Sequence, residues 1–64
     1  MNRVTLKNEM VRYVGGGAFI KKVELARFMN LKDPNSCNKY LAGLDSIGRG
    51  LYFIDDVVRA LLDG

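Results

Sequence analysis

Pro34 is the only proline in this 64-residue chain, and it stands between two apolar-periodic stretches that it prevents from forming one helix. Proline has no amide hydrogen and pushes the preceding residue out of helical angles, so a helix must stop before Asp33-Pro34 and a new one can start there. Pro34 suits the first helical position, with Asp33 as its N-cap. Upstream, Lys21-Lys22 opens a helix in which Leu25, Phe28 and Met29 recur at i, i+3 and i+4, with Ala26 small where a second helix passes closely. Downstream, a helix running to about Leu44 gathers Cys37, Tyr40, Leu41 and Leu44 on one face and turns Asn35, Ser36, Asn38, Lys39 and Ala42 outward. Asn30-Leu31-Lys32 is the turn between them, with Leu31 as a plug beneath it. Glu24 to Leu44 thus reads as two short amphipathic helices joined by a tight polar turn.

The flanking segments read as a scaffold for this unit. Thr5 to Val14 carries Leu6, Met10, Tyr13 and Val14 on one helical stripe, with Thr5 as the N-cap. Gly15-Gly16-Gly17 supplies a left-handed C-cap and a loose link. A phosphate-cradling loop is disfavoured there, because no Gly-Lys-Ser/Thr follows and no strand precedes. Ala18-Phe19-Ile20 is a minimal strand. Ser46 to Ile54 has the pattern of a small hairpin with a Gly48-Arg49-Gly50 tip. Asp55 or Asp56 then caps a last helix with Val57, Val58, Leu61 and Leu62 apolar.

The expected fold is therefore mainly α with a small β-hairpin, a winged helix-turn-helix in one domain over residues 1–64. Its order is helix, strand, helix, turn, helix, strand, wing, strand, helix, with the helix-turn-helix at about 21–44 and the wing at about 46–54. A 64-residue chain buries only about 60% of the surface its unfolded form exposes. A charged fraction of 27% mixed through a 48% hydrophobic chain argues against disorder. One cysteine and no histidine leave neither an internal disulfide nor a zinc set. No apolar run approaches the roughly 20 residues of a membrane span, and the N-terminus lacks a signal-peptide pattern, so a cytoplasmic protein is expected.

Charge is distributed unevenly. Residues 1–49 hold nine Lys/Arg against four Asp/Glu, while residues 50–64 hold one against three, giving +5 and −2. Such a basic body suits a polyanion, although a modest lysine excess is also common in proteins that bind none. The outer face Asn35, Ser36, Asn38 and Lys39 has the chemistry to read DNA base edges: asparagine pairs with adenine in both directions, lysine donates to guanine or phosphate, and serine is permissive. The plainer reading is a solvated helix face, but two asparagines stand where helix propensity favours Glu, Gln or Lys. Arg49 at the wing tip could reach the backbone or a narrow minor groove, or simply sit on an exposed turn. Lys21, Lys22, Arg27 and Lys32 are candidate phosphate contacts or ordinary surface charges.

The order of elements also resembles the winged helix-turn-helix domains of the phage excisionase and mercury-resistance-regulator-like groups. Phe19-Ile20-Lys21-Lys22-Val23-Glu24-Leu25-Ala26-Arg27-Phe28-Met29 looks like the family's Glu-Leu-Ala opening. Ser36-Cys37-Asn38-Lys39-Tyr40-Leu41 is similar to its Thr-Val-x-x-Tyr/Trp-Leu, and Tyr52-Phe53-Ile54-Asp55-Asp56-Val57-Val58 to its Tyr-x-Ile-x-Asp-Val close. The resemblance covers about 45 of the 64 residues. It departs at Asn30, where the family usually has glycine, and in a spacing from Ala26 to Cys37 one residue longer than usual, absorbed at Asp33-Pro34. It implies a sequence-specific double-stranded DNA-binding protein of phage or mobile-element type, a recombination directionality factor or transcription regulator. A single module of this kind buries only about 600 to 1,000 Å² of protein on DNA, so adequate affinity calls for a homodimer, a cooperative array or a partner such as an integrase or other phage protein, and the resemblance implies cooperative binding that bends DNA.

Nothing in the residues recommends an enzyme: there is no histidine, no activated nucleophile, no metal set and no cofactor motif. Cys37 lies on the inner helix face as a small hydrophobe. Tyr40, Tyr52 and Phe53 read as core or wing packing, and Asp55-Asp56 as helix-start carboxylates rather than an acid-base pair or ion site. The competing class is a protein-binding module such as an antirepressor or adaptor. That class predicts an exposed apolar patch, whereas a DNA reader predicts a continuous basic face across the second turn helix and wing.

Overall fold

In the computed structural model, residues 2–63 are described. Among them the elements follow in the order α1 (Arg3–Tyr13), β1 (Phe19–Lys21), α2 (Lys22–Phe28), a 3-10 turn (Pro34–Cys37), α3 (Asn38–Leu41), β2 (Leu51–Phe53) and α4 (Ile54–Asp63). The protein is mainly helical with a two-stranded antiparallel sheet.

The first helix starts earlier than expected. The Asn2 side-chain oxygen accepts from the Thr5 N–H at 2.8 Å, so Asn2 is the N-cap and Thr5 lies inside α1. Asparagine outranks threonine as a cap, and the earlier start adds residues to the helix. At the other end Gly15, at φ +87°, donates its N–H to the Arg12 carbonyl, and Gly16 donates to that of Val11 at 2.8 Å. This pair of bonds is a Schellman motif closing α1. Helix α2 ends in the same way without glycine: Asn30 sits at φ +60°, its N–H donating to the Arg27 carbonyl at 3.1 Å and that of Leu31 to Ala26 at 2.8 Å.

The turn unit begins as its sequence dictates. The Asp33 carboxylate accepts from the Asn35 N–H at 3.0 Å, capping a segment with Pro34 at its first position. Its first turn is 3-10 rather than α, and the helix expected to reach Leu44 ends at Leu41. Asparagine and serine are poor helix formers, and Gly43 costs about 1 kcal/mol in a helix interior, so the segment stops where its apolar anchors do. The Leu44 N–H still closes back on the Leu41 carbonyl at 3.0 Å.

Strands β1 and β2 pair antiparallel with Phe19 opposite Phe53, Ile20 opposite Tyr52 and Lys21 opposite Leu51. Alternation sends Ile20 into the core and leaves Phe19 and Phe53 outside, stacked at 4.7 Å between ring centroids. The expected hairpin is reduced. Its first arm contributes only a bridge between Gly48 and Leu51 and the Ile47 N–H to Leu51 carbonyl bond at 2.8 Å. Glycine offers no side chain to a strand pair, and β2 takes its ladder partner from the remote β1 instead.

Ile54 follows β2 directly as the first residue of α4, its N–H donating to the Ala18 carbonyl at 2.9 Å. Asp55 and Asp56 therefore stand in the first turn of α4 and do not cap it; there their charge favours the helix dipole. Asp55 also pairs with Lys7 of α1 at 2.9 Å.

The core consists of Leu6 and Met10 of α1, Ile20, Leu25 and Ala26, Cys37 and Leu41 of the turn unit, and Ile54, Val57 and Val58 of α4; among the described residues no buried one is polar. Two residues assigned to apolar stripes are exposed instead of buried or half-buried. Tyr13 is exposed, meeting Phe28 edge-on at 5.5 Å, and Leu62 is exposed on α4. No described helix is long and apolar enough to cross a membrane.

Candidate nucleic-acid interface

Cys37 and Leu41 are the buried feet of the turn unit, with Tyr40 and Leu44 half-buried beside them. That anchoring turns Asn35, Ser36, Asn38 and Lys39 to solvent, all four exposed. The division survives the change from α to 3-10 geometry at the start of the helix. At three residues per turn Asn35 and Asn38 stack one above the other, with Ser36 and Lys39 on the adjoining strip.

Two hydrogen bonds fasten this surface to neighbouring elements. The Lys22 ammonium, from the first residue of α2, donates to the Asn35 side-chain oxygen at 3.0 Å. The Lys22 backbone N–H donates to the Gly50 carbonyl at 2.8 Å. Gly50 is at φ +66° while Arg49 keeps a negative φ, the sign pattern of a type II turn with glycine third. Lys22 is thus the joint between the turn carrying Arg49 and the helix carrying Asn35. Lys21, whose N–H is held by the Glu24 carboxylate at 2.9 Å, adds a second lysine at this joint.

The structure ties Lys22 to Asn35 and to the Arg49 turn; Ser36, Asn38 and Lys39 follow Asn35 as exposed residues of the same segment, and Lys21 precedes Lys22. Arg27 and Lys32 are exposed but not tied to that group. Arg27 lies five residues beyond Lys22, about 140° around α2 at 100° per residue. Lys39 arches over its neighbour Tyr40, with Nζ 5.0 Å from the ring centre. The Ser36, Asn38 and Arg49 side chains make no hydrogen bond or ion pair among the described residues. The Lys22–Asn35 link was not visible in the sequence, since the two residues lie on different helices. A polar residue just after a proline cap, facing a lysine at the head of the previous helix, is the only hint of it.

Burial pushes the Cys37 thiol up from its ordinary range, against the pull of the nearby Lys22 ammonium. It is a packed side chain beneath the polar face, not a nucleophile within it. Among the described residues no three His, Cys, Asp or Glu side chains gather as a metal-binding group.

No family model, curated protein or solved structure matches the chain.

Proposed function

We propose that this is a winged helix-turn-helix domain that binds double-stranded DNA in the bacterial cytoplasm, laying the Pro34–Leu41 segment in the major groove with the Arg49 turn beside it. The supporting observation is the Lys22 joint, which bonds the Asn35 side chain and the Gly50 carbonyl and so gathers a polar helix face and a basic turn on one surface. Asn38 and Lys39 then meet base edges, while Lys21 and Arg49 meet phosphates or the minor groove. On the resemblance, the role is that of an excisionase-like recombination factor or a transcription regulator, acting as a homodimer or array with an integrase as partner. No catalysis is involved.

Fluorescence-anisotropy titration of labelled random duplex over a range of salt tests this. Neutralising four or five phosphates gives a log–log slope of about −4. No binding at low salt would sink the proposal. The rival reading, a protein-docking module, draws on the exposed Phe19–Phe53 stack. It gains if DNA binding is absent and the chain instead binds a phage protein in a way that Phe53→Ser abolishes.

A further inference from the structure

The bond between Lys22 and Asn35 changes what both side chains can offer a ligand. An ammonium group only donates, so the side of the Asn35 amide facing it must be the carbonyl oxygen, at 3.0 Å. Asn35 is fixed through its backbone as well. Its N–H donates to the Asp33 carboxylate at 3.0 Å, and its carbonyl accepts from the Asn38 N–H. Lys22 is held at its stem: its N–H is bonded to Gly50, and its Cβ lies 3.8 Å from where a Cβ on Gly50 would stand. Two protons on the ammonium and two on the amide nitrogen remain unused. The second lone pair of the Asn35 oxygen lies beside a full positive charge, which is a poor place to accept another hydrogen bond.

We propose that Lys22 and Asn35 act as one composite reader, a fork of two donors that fits the O6 and N7 acceptors of guanine in the major groove. The inference rests on the DNA-binding reading above and deepens it. Guanine presents two neighbouring acceptors, whereas adenine presents its N7 acceptor beside an N6 donor that would face donors here. The expectation of Asn35 reading adenine and Lys22 gripping phosphate then gives way to a joint role. Asn38, one turn further along and with no lysine on its carbonyl, keeps the two-way amide that adenine requires.

Selecting duplexes from a randomised library with the full chain, then titrating the best duplex against its single guanine-to-adenine variants, tests the fork. The wild-type protein should prefer guanine at one position by roughly 5- to 150-fold. Replacing that guanine by 7-deazaguanine, which lacks N7, should remove most of the preference. Lys22→Met, which keeps the stem, and Asn35→Ala should each abolish it. Lys22→Arg, which can still donate to both groups, should retain it. Because the fork needs both members, the double variant should discriminate no worse than either single one.

If Lys22→Met weakens guanine and adenine duplexes equally and lowers the salt slope by about one, Lys22 is a phosphate contact and the fork is wrong. Should Lys22→Met fail to fold, as judged by its melting curve, Asn35→Ala decides alone, since an unchanged guanine preference there overturns the proposal. Wild-type protein that binds neither the library nor random duplex overturns the DNA-binding reading itself, a result distinct from the other two.

Discussion

Asn30 can be perturbed to test the turn geometry apart from any ligand. It is the non-glycine residue at positive φ among those described, at +60°, and it is the residue through which α2 hands the chain to the turn. An alanine forced into that region pays roughly 1–2 kcal/mol, because its Cβ crowds the following carbonyl. Glycine pays no such cost, but its looser unfolded chain offsets about 0.4–1 kcal/mol of the gain. Asn30→Gly should therefore exceed Asn30→Ala in stability by about 1 kcal/mol, with the wild type between them. For a domain of this size that is about 4–8 °C in melting temperature. Thermal unfolding followed by far-UV circular dichroism measures the gap directly. If the alanine variant melts at or above the glycine variant, Asn30 is not left-handed in solution, and the two bonds it sets up, to Arg27 and from Leu31 to Ala26, do not define the exit from α2.

Two further predictions concern the ends of the same unit and the sheet. With its folded pKa above its ordinary value of 9.0, the Cys37 thiol adds stability that is full below that value and lost as pH rises through the folded one. The wild type should thus lose stability relative to Cys37→Ala only above about pH 9 in urea unfolding; parallel pH profiles for the two proteins would refute the burial argument. Phe19 and Phe53, stacked across the strand pair, should show a coupling of about 0.5–1.5 kcal/mol in a double-alanine cycle. Strictly additive losses would mean that the rings do not meet in solution.

The parts of the fold that were legible in the sequence are those governed by local chemistry. Asp33-Pro34 announces a helix start because a carboxylate and a missing amide hydrogen act within two residues of each other, and the Asp33 cap forms as that logic requires. The inner and outer faces of the turn helix follow from spacing alone, with Cys37 and Leu41 buried and Asn35, Ser36, Asn38 and Lys39 exposed. What could not be read depends on partners distant in sequence. Nothing local tells β2 to pair with β1 instead of Ser46–Gly48, and that choice makes Ile54 the first residue of α4 and moves Asp55 and Asp56 off the cap position. The competition between Asn2 and Thr5 for the α1 cap is local, but it turns on a preference of a few tenths of a kcal/mol. The Lys22–Asn35 bond joins residues thirteen apart, and only the packing of α2 against the 3-10 turn brings them into reach.

The shortness of the turn helix bears on how a DNA reader built this way would work. Pro34–Cys37 rises about 2.0 Å per residue and Asn38–Leu41 about 1.5 Å, giving a reading segment about 14 Å long. At about 3.4 Å per base pair it spans about four of them. Under the proposed function, the Lys22–Asn35 fork addresses one pair, Asn38 a second, and Lys39 with Ser36 at most the rest. A word of four base pairs recurs by chance about once in 256 pairs, so however well each position is discriminated, so few positions fall short of selecting one site in a genome. The reduced hairpin does not make up the difference with a second ladder of contacts, because among the described residues the Arg49 turn is held by no more than the Gly50 carbonyl, the Gly48–Leu51 bridge and the Ile47 N–H bond to the Leu51 carbonyl. That same economy ties the turn to α2 through Lys22, so the basic tip and the polar helix face are oriented together. Under the proposed function, a second copy on an adjacent stretch of the duplex would supply the sequence information that one eight-residue segment lacks.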